Sequence, residues 1–158
     1  MFINILKPII YVLFNKAMDI ELLQQALEND DNLNIINTNI QEIKTKKNEI
    51  LQDLGLKRDD LKSFHKKLNG YMYVDAISDL KYGRNIRWIN LKQLDPIKIT
   101  NGSILCDIKI GAKGIALVLK GYNASFNTLY FNENIIFQKI NDEEKIILKA
   151  VDYLNKQS

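Results

Sequence analysis

The sequence predicts an α+β chain: N-terminal helices, one of them coiled-coil-like, then an antiparallel meander or small barrel capped by a C-terminal helix. Three observations predict it. Apolar residues recur at helical spacing up to about residue 70, the pattern then turns to short β-rich runs, and an acidic cap with a helical apolar face closes the chain. The 158 residues, 46% hydrophobic and 26% charged, suit a packed domain with a helical extension.

Asp19 is the expected N-cap of a first helix with Ile20, Leu23 and Leu27 on one face. After Asn29-Asp30-Asp31, the residues Leu33, Ile36, Ile40, Ile43, Lys47, Ile50 and Leu54 fall at alternating three- and four-residue steps. That is a heptad seam with one lysine in it, flanked by polar residues, and it predicts a helix that self-associates or meets a partner helix. The same stripe could instead lie across the chain's own sheet, and periodicity does not separate the two. Gly55 is the expected stop. Asp59 or Asp60 should cap a short helix carrying Leu61, Phe64 and Leu68, which Asn69-Gly70 ends.

Beyond Gly70, runs at 71–77, 86–91, 97–100, 103–110, 114–120, 126–131 and 134–140 are rich in β-branched and aromatic residues, and turn-forming residues separate most of them. In the fourth, Ile104, Cys106, Ile108 and Ile110 alternate against Leu105, Asp107 and Lys109, so Cys106 reads as a small buried hydrophobe. Asn141 can cap the last helix with Glu144 at the capping-box position, and Ile146, Ile147, Ala150, Val151 and Leu154 form its apolar face, expected to cover the sheet. The domain expectation is an apolar leader 1–17, a helical region 18–70 and a β domain with C-terminal helix 71–158. The leader is apolar from Phe2 to Phe14 but too short to span a bilayer and broken by Lys7-Pro8, so Met18 competes with Met1 as the working start.

Composition narrows the function classes. A net charge of +3 is too mild to predict nucleic acid or acidic membrane as a partner. One cysteine excludes an internal disulfide and Cys-rich zinc motifs, which favours a reducing, intracellular and cytoplasmic setting. Two sequons, at Asn101 and Asn123, matter only in a secreted chain. The 24 Ile, 18 Asn and 19 Lys are residues of AT-rich codons, which weakens any reading of an isolated lysine.

No phosphate-loop, dinucleotide, nucleophile-elbow or zinc-protease signature occurs in the sequence, so no enzyme activity and no cofactor is expected. His65 reads as a surface residue, and Asp75, Asp79, Asp95 and Asp107 form no metal or acid–base spacing. The one cluster joining charge with aromatics contains Lys81, Tyr82, Arg84 and Arg87, followed by Trp88. If 86–89 is a strand, Trp88 shares the core face with Ile86, and Arg87 points outward beside the Arg84 turn as a guanidinium able to hold phosphate or carboxylate. The plain alternative is a charged, solvated strand edge. The leading expectation is therefore a non-enzymatic interaction or structural module that self-associates or binds a partner protein, with a small nucleic-acid-binding barrel using the basic turn as the alternative.

Three runs in the C-terminal half, G-x-x-I-R-W-I from Gly83, T-N-G-x-I-x-x-D-I from Thr100 and I-F-Q-K from Ile136, are distinctive. On these runs the half resembles small proteins of giant, nucleocytoplasmic large DNA viruses. The resemblance implies a viral source, acting in the host cytoplasm or virion. It transfers no catalytic role to any residue, and it does not reach the helical half.

Overall fold

A computed structural model describes residues 19–157; the leader 1–17 and the choice between Met1 and Met18 lie outside the described residues. The described chain forms two compact units, one of residues 19–45 with 140–157 and one of residues 46–139.

The first unit is helical. Helix α1 (Ile20–Glu28) starts where expected, with Asp19 Oδ1 accepting the Leu22 N–H at 3.0 Å. A 3-10 turn (Asp30–Asn32) leads into the short α2 (Leu33–Ile36). The last helix, α5 (Asp142–Gln157), begins with the capping box read from the sequence: Asn141 Oδ1 accepts the Glu144 N–H at 2.8 Å, and Glu144 Oε1 accepts the Asn141 N–H at 2.9 Å. Helix α5 packs against α1 and α2. Glu143 ties this packing down, because its Oε2 accepts from both Asn29 Nδ2 and Asn32 Nδ2 at 3.0 Å, and Asn32 also donates to the Ala26 carbonyl.

The heptad seam is not one helix. It breaks at residues 37–39, and α3 (Ile40–Gln52) starts afresh with Asn39 Oδ1 accepting the Glu42 N–H at 2.9 Å. An Asn three residues before a Glu is an N-terminal signal in its own right, and it overrides the apolar spacing that runs through it. Of the seam, Leu33 is exposed and Ile36 and Ile40 are half-buried, while Ile43 is buried. Ile50 and Leu54 pack on the second unit's core beside Leu51, which is off the seam and fully buried. Together Ile50, Leu51 and Leu54 make an apolar face packed on that core, broader than a two-position coiled-coil stripe.

Helix α4 (Arg58–Lys67) follows Gly55, whose φ of +66° stops α3 as expected. Its N-cap is Lys57 without a side-chain bond, so Asp59 and Asp60 sit in the first turn and act on the helix dipole rather than as caps.

All seven expected strands form: β1 (Tyr71–Val74), β2 (Asn85–Leu94), β3 (Ile97–Ile99), β4 (Ser103–Gly111), β5 (Gly114–Lys120), β6 (Phe126–Tyr130) and β7 (Asn134–Lys139). They make one antiparallel sheet in the order β1-β7-β2-β4-β5-β6, with β3 paired to β2. Only β4-β5-β6 is a meander. Strand β7 returns between β1 and β2, which leaves β1 and β6 at opposite edges, so the sheet is open and not a barrel. The insertion follows from composition: Ile135, Ile136, Phe137 and Gln138 are all buried, as an interior strand with both faces covered requires.

Each face carries its own cluster. Ile89, Ile99, Ile135 and Phe137 pack with Leu51, Phe64, Leu68 and Tyr71, while Ile86, Leu105, Leu117, Leu119, Leu129 and Ile136 pack with Val74 and Leu80. Trp88 lies against the second cluster with Ile86, as the strand parity predicts.

The expected alternation on β4 fails at one point. Leu105 pairs with Leu119 and Ile108 with Leu117, so the core face skips from 105 to 108 across a bulge at Cys106-Asp107. Leu105 is therefore buried and Ile104 and Cys106 are exposed, the reverse of the parity read from the sequence.

Candidate functional site

The basic turn is built into the fold. Gly83 N–H donates to the Leu105 carbonyl at 2.8 Å and Leu105 N–H to the Arg84 carbonyl at 3.0 Å, which docks the turn on the start of β4. Arg84 Nη1 donates to the Lys139 carbonyl at 3.2 Å. Arg87 is directed inward: Nη1 donates to the Lys67 carbonyl in the last turn of α4, Nε is buried, and the guanidinium lies 5.1 Å from the centre of the Tyr71 ring. A cation at the negative end of a helix dipole, stacked on an aromatic face, serves the fold well. Lys81 gives its main-chain N–H to Gln138, and Tyr82 is exposed. Sequence parity placed Arg87 correctly opposite Trp88, but it could not show that α4 covers that face.

Lys47, expected to weaken a seam, is an anchor instead. Its Nζ donates to the Leu68 carbonyl at 3.0 Å and the Tyr71 carbonyl at 2.9 Å, the two carbonyls on either side of the Asn69-Gly70 turn. Beside it, His65 Nε2 lies 3.2 Å from Asn48 Oδ1. Partial burial, and secondarily the Lys47 ammonium, hold the His65 imidazole below its usual value of 6.5. Since the fold favours the neutral ring, His65 contributes stability that is present above the unfolded value and is lost as the pH falls through the folded one. An NMR titration should place the His65 midpoint below 6.5, and Lys47→Met should move it upward.

A pocket of about 770 Å³ opens at the end of the sheet where β2 and β4 begin and β5 ends. Asn85, Asn101, Gly102, Ser103, Ile104 and Lys120 line it, with the Gly121–Ala124 turn. Its floor is held in place: Asn85 Oδ1 accepts the Tyr71 hydroxyl at 3.1 Å, and a Cβ on Gly102, whose φ is +108°, would stand 2.2 Å from that oxygen. Only glycine lets the turn approach Asn85 so closely. The 121–125 turn is closed by Gly121 N–H to the Ser125 carbonyl at 2.7 Å and Ala124 N–H to the Gly121 carbonyl at 3.1 Å, with Ala124 at φ +63°.

On the rim, three residues stand directly opposite one another on neighbouring strands: Ile104 on β4, Lys120 on β5 and Phe126 on β6. They share the face opposite Leu105 and Leu119. Ile104 is 46% exposed, Phe126 63% and the adjacent Tyr122 is fully exposed. Sequence reasoning missed this row, because the Cys106 bulge reverses the parity that would have shown Ile104 facing out.

A smaller pocket of about 430 Å³ is lined by Ile50, Leu54, Tyr73, Phe131 and the carboxylates Asp53 and Asp75. Burial, and secondarily Asp75, push the Tyr73 phenol above its usual value, so it remains a neutral hydroxyl. Among the described residues no group of three His, Cys, Asp or Glu side chains could hold a metal ion, and no helix is long and apolar enough to cross a membrane. No family model, curated protein or solved structure matches the chain.

Proposed function

We propose that the chain is a non-catalytic interaction module that binds a partner protein at the outer face of β4, β5 and β6, beside the larger pocket. The observation that carries this reading is the Ile104–Lys120–Phe126 row with the fully exposed Tyr122 next to it. Large apolar side chains left in water around a concave site, with a single ammonium among them, suit a partner that offers an apolar side chain and a nearby carboxylate. The nucleic-acid alternative is weaker, because Arg84 and Arg87 each already hold a main-chain carbonyl and the Arg87 guanidinium lies over the Tyr71 ring. An intracellular, viral setting belongs to the proposal through the resemblance of the 83–89, 100–108 and 136–139 runs.

A photo-crosslinking residue at Tyr122, compared with one at the exposed Lys113, tests it in cells expressing the full chain. The expected result is a discrete protein adduct at 122 that is absent at 113 and falls severalfold with Ile104→Ser. Adducts to nucleic acid, or equal labelling at both positions, would overturn the reading. So would a salt-sensitive complex with RNA or DNA that Arg84→Ala with Arg87→Ala abolishes.

A further inference from the structure

Among the described residues strand β6 ends the sheet on one side, so one row of its main-chain groups has no described strand beside it. The turn fixes which row. Because Gly121 N–H bonds the Ser125 carbonyl, the pairs Leu119–Asn127 and Leu117–Leu129 exchange the ladder bonds with β5, and the N–H and C=O groups of Phe126, Thr128 and Tyr130 point to the open side. The Tyr130 carbonyl accepts Asn134 Nδ2 at 2.8 Å, as an outward carbonyl can. Phe126, Asn127 and Thr128 are exposed, so among the described residues nothing covers their end of the edge. Natural edges are blunted by lysine, proline, a bulge or shortness, and Phe126-Asn127-Thr128-Leu129-Tyr130 has none of these. The other edge, β1, is shorter and buried at both its ends.

We infer that a second copy of this chain adds to β6 antiparallel, about a twofold axis through Thr128, and continues the sheet from one copy into the next. The strand is its own complement in that register. Thr128 stands opposite Thr128 of the second copy, and Phe126 stands opposite Tyr130 on each side of it, all on one face because they are two residues apart. Aromatic pairs and Thr–Thr pairs are favoured cross-strand partners, and no charged residue lies on β6, so the twofold brings no like charges together. On the other face Asn127 meets Leu129, neither of them charged. A foreign extended peptide could use the same main-chain groups, but it would not account for a strand that reads aromatic–polar–Thr–apolar–aromatic about its own centre. The inference stands on the main-chain edge of β6 and shares Phe126 with the row at the pocket rim.

Sedimentation velocity on the full chain tests it with wild type, Thr128→Lys, Thr128→Glu and an equimolar mixture of the two variants. Thr128 is exposed, so both variants should keep the wild-type circular dichroism and melting profile. Wild type should be a dimer at micromolar concentrations, each variant alone should dissociate at least tenfold more readily, and the mixture should recover the dimer, because only a twofold through 128 sets the two substituted residues face to face. A folded wild type that is monomeric at high micromolar concentration overturns the inference. So does a dimer that both variants leave intact, a dimer lost in the variants but not rescued by mixing, or a dimer that responds to Ile40→Asp with Ile43→Asp instead. Loss of the Tyr122 crosslink with the dimer unchanged would refute the partner reading and leave this inference standing.

Discussion

Replacing Leu51 by alanine should cost about 2–5 kcal/mol of stability, the range for emptying a fully buried leucine site, whereas Leu33→Ala should stay within about 0.5 kcal/mol because Leu33 is 43% exposed. The contrast is diagnostic because Leu33 belongs to the heptad seam and Leu51 does not. A seam that worked between chains would make Leu33 the sensitive position and Leu51 a tolerant flank. In the fold Leu51 packs in the cluster with Phe64, Leu68, Tyr71, Ile89, Ile99, Ile135 and Phe137, so its truncation opens a cavity there. Urea unfolding of the full chain, followed by circular dichroism for both units and by the fluorescence of Trp88 for the unit that holds Leu51, reads both variants. The opposite ordering, with Leu33→Ala also dissociating a dimer, would return the stripe to an intermolecular role.

That contrast shows why much of the fold was legible in the sequence and its assembly was not. Features set within one turn of chain were readable from neighbours alone: the Asp19 cap, the Asn141–Glu144 box, the stops at Gly55 and Gly70, and the seven strands with their turns. Features set by what lies across the chain were not. Leu51 lies off the seam spacing, and that spacing runs unbroken through the Asn39–Glu42 cap that starts a new helix. Strand parity held on β2 in setting Trp88 and Arg87 on opposite faces, although the Arg87 face is covered by α4 and is not the open face expected, and it failed on β4, where one inserted residue at Cys106 exchanges inside for outside. The candidate rim at Ile104, Tyr122 and Phe126 depends on that bulge, so it became visible only with the pairing of β4, β5 and β6. Arg84 and Arg87 were readable as a basic turn, but their carbonyl partners come from β7 and α4, 55 and 20 residues away.

Lys47→Met should lower stability by about 2–3 kcal/mol, nearly as much as a core truncation although the exchange keeps most of the side chain's length and apolar stem. The loss comes from the carbonyls, not the lysine. Leu68 and Tyr71 each present a C=O to the ammonium, and although the Leu68 carbonyl keeps its bond from the Tyr71 N–H at 2.9 Å, the thioether removes a charged donor from both part-buried oxygens. Lys47→Arg should recover only part of the loss, because a planar guanidinium is wider than the compact ammonium that now sits 3.0 and 2.9 Å from the two oxygens. The turn also sets Tyr71, whose hydroxyl holds Asn85 at the floor of the larger pocket. Amide hydrogen exchange should therefore quicken at the start of β1 and around Asn85 and Gly102 in Lys47→Met, while the β6 edge keeps its wild-type rates. A Met variant as stable as wild type would mean that the two carbonyls are satisfied without Lys47. Uniformly faster exchange across the sheet would place the lysine's role in global stability rather than in the turn that supports the pocket.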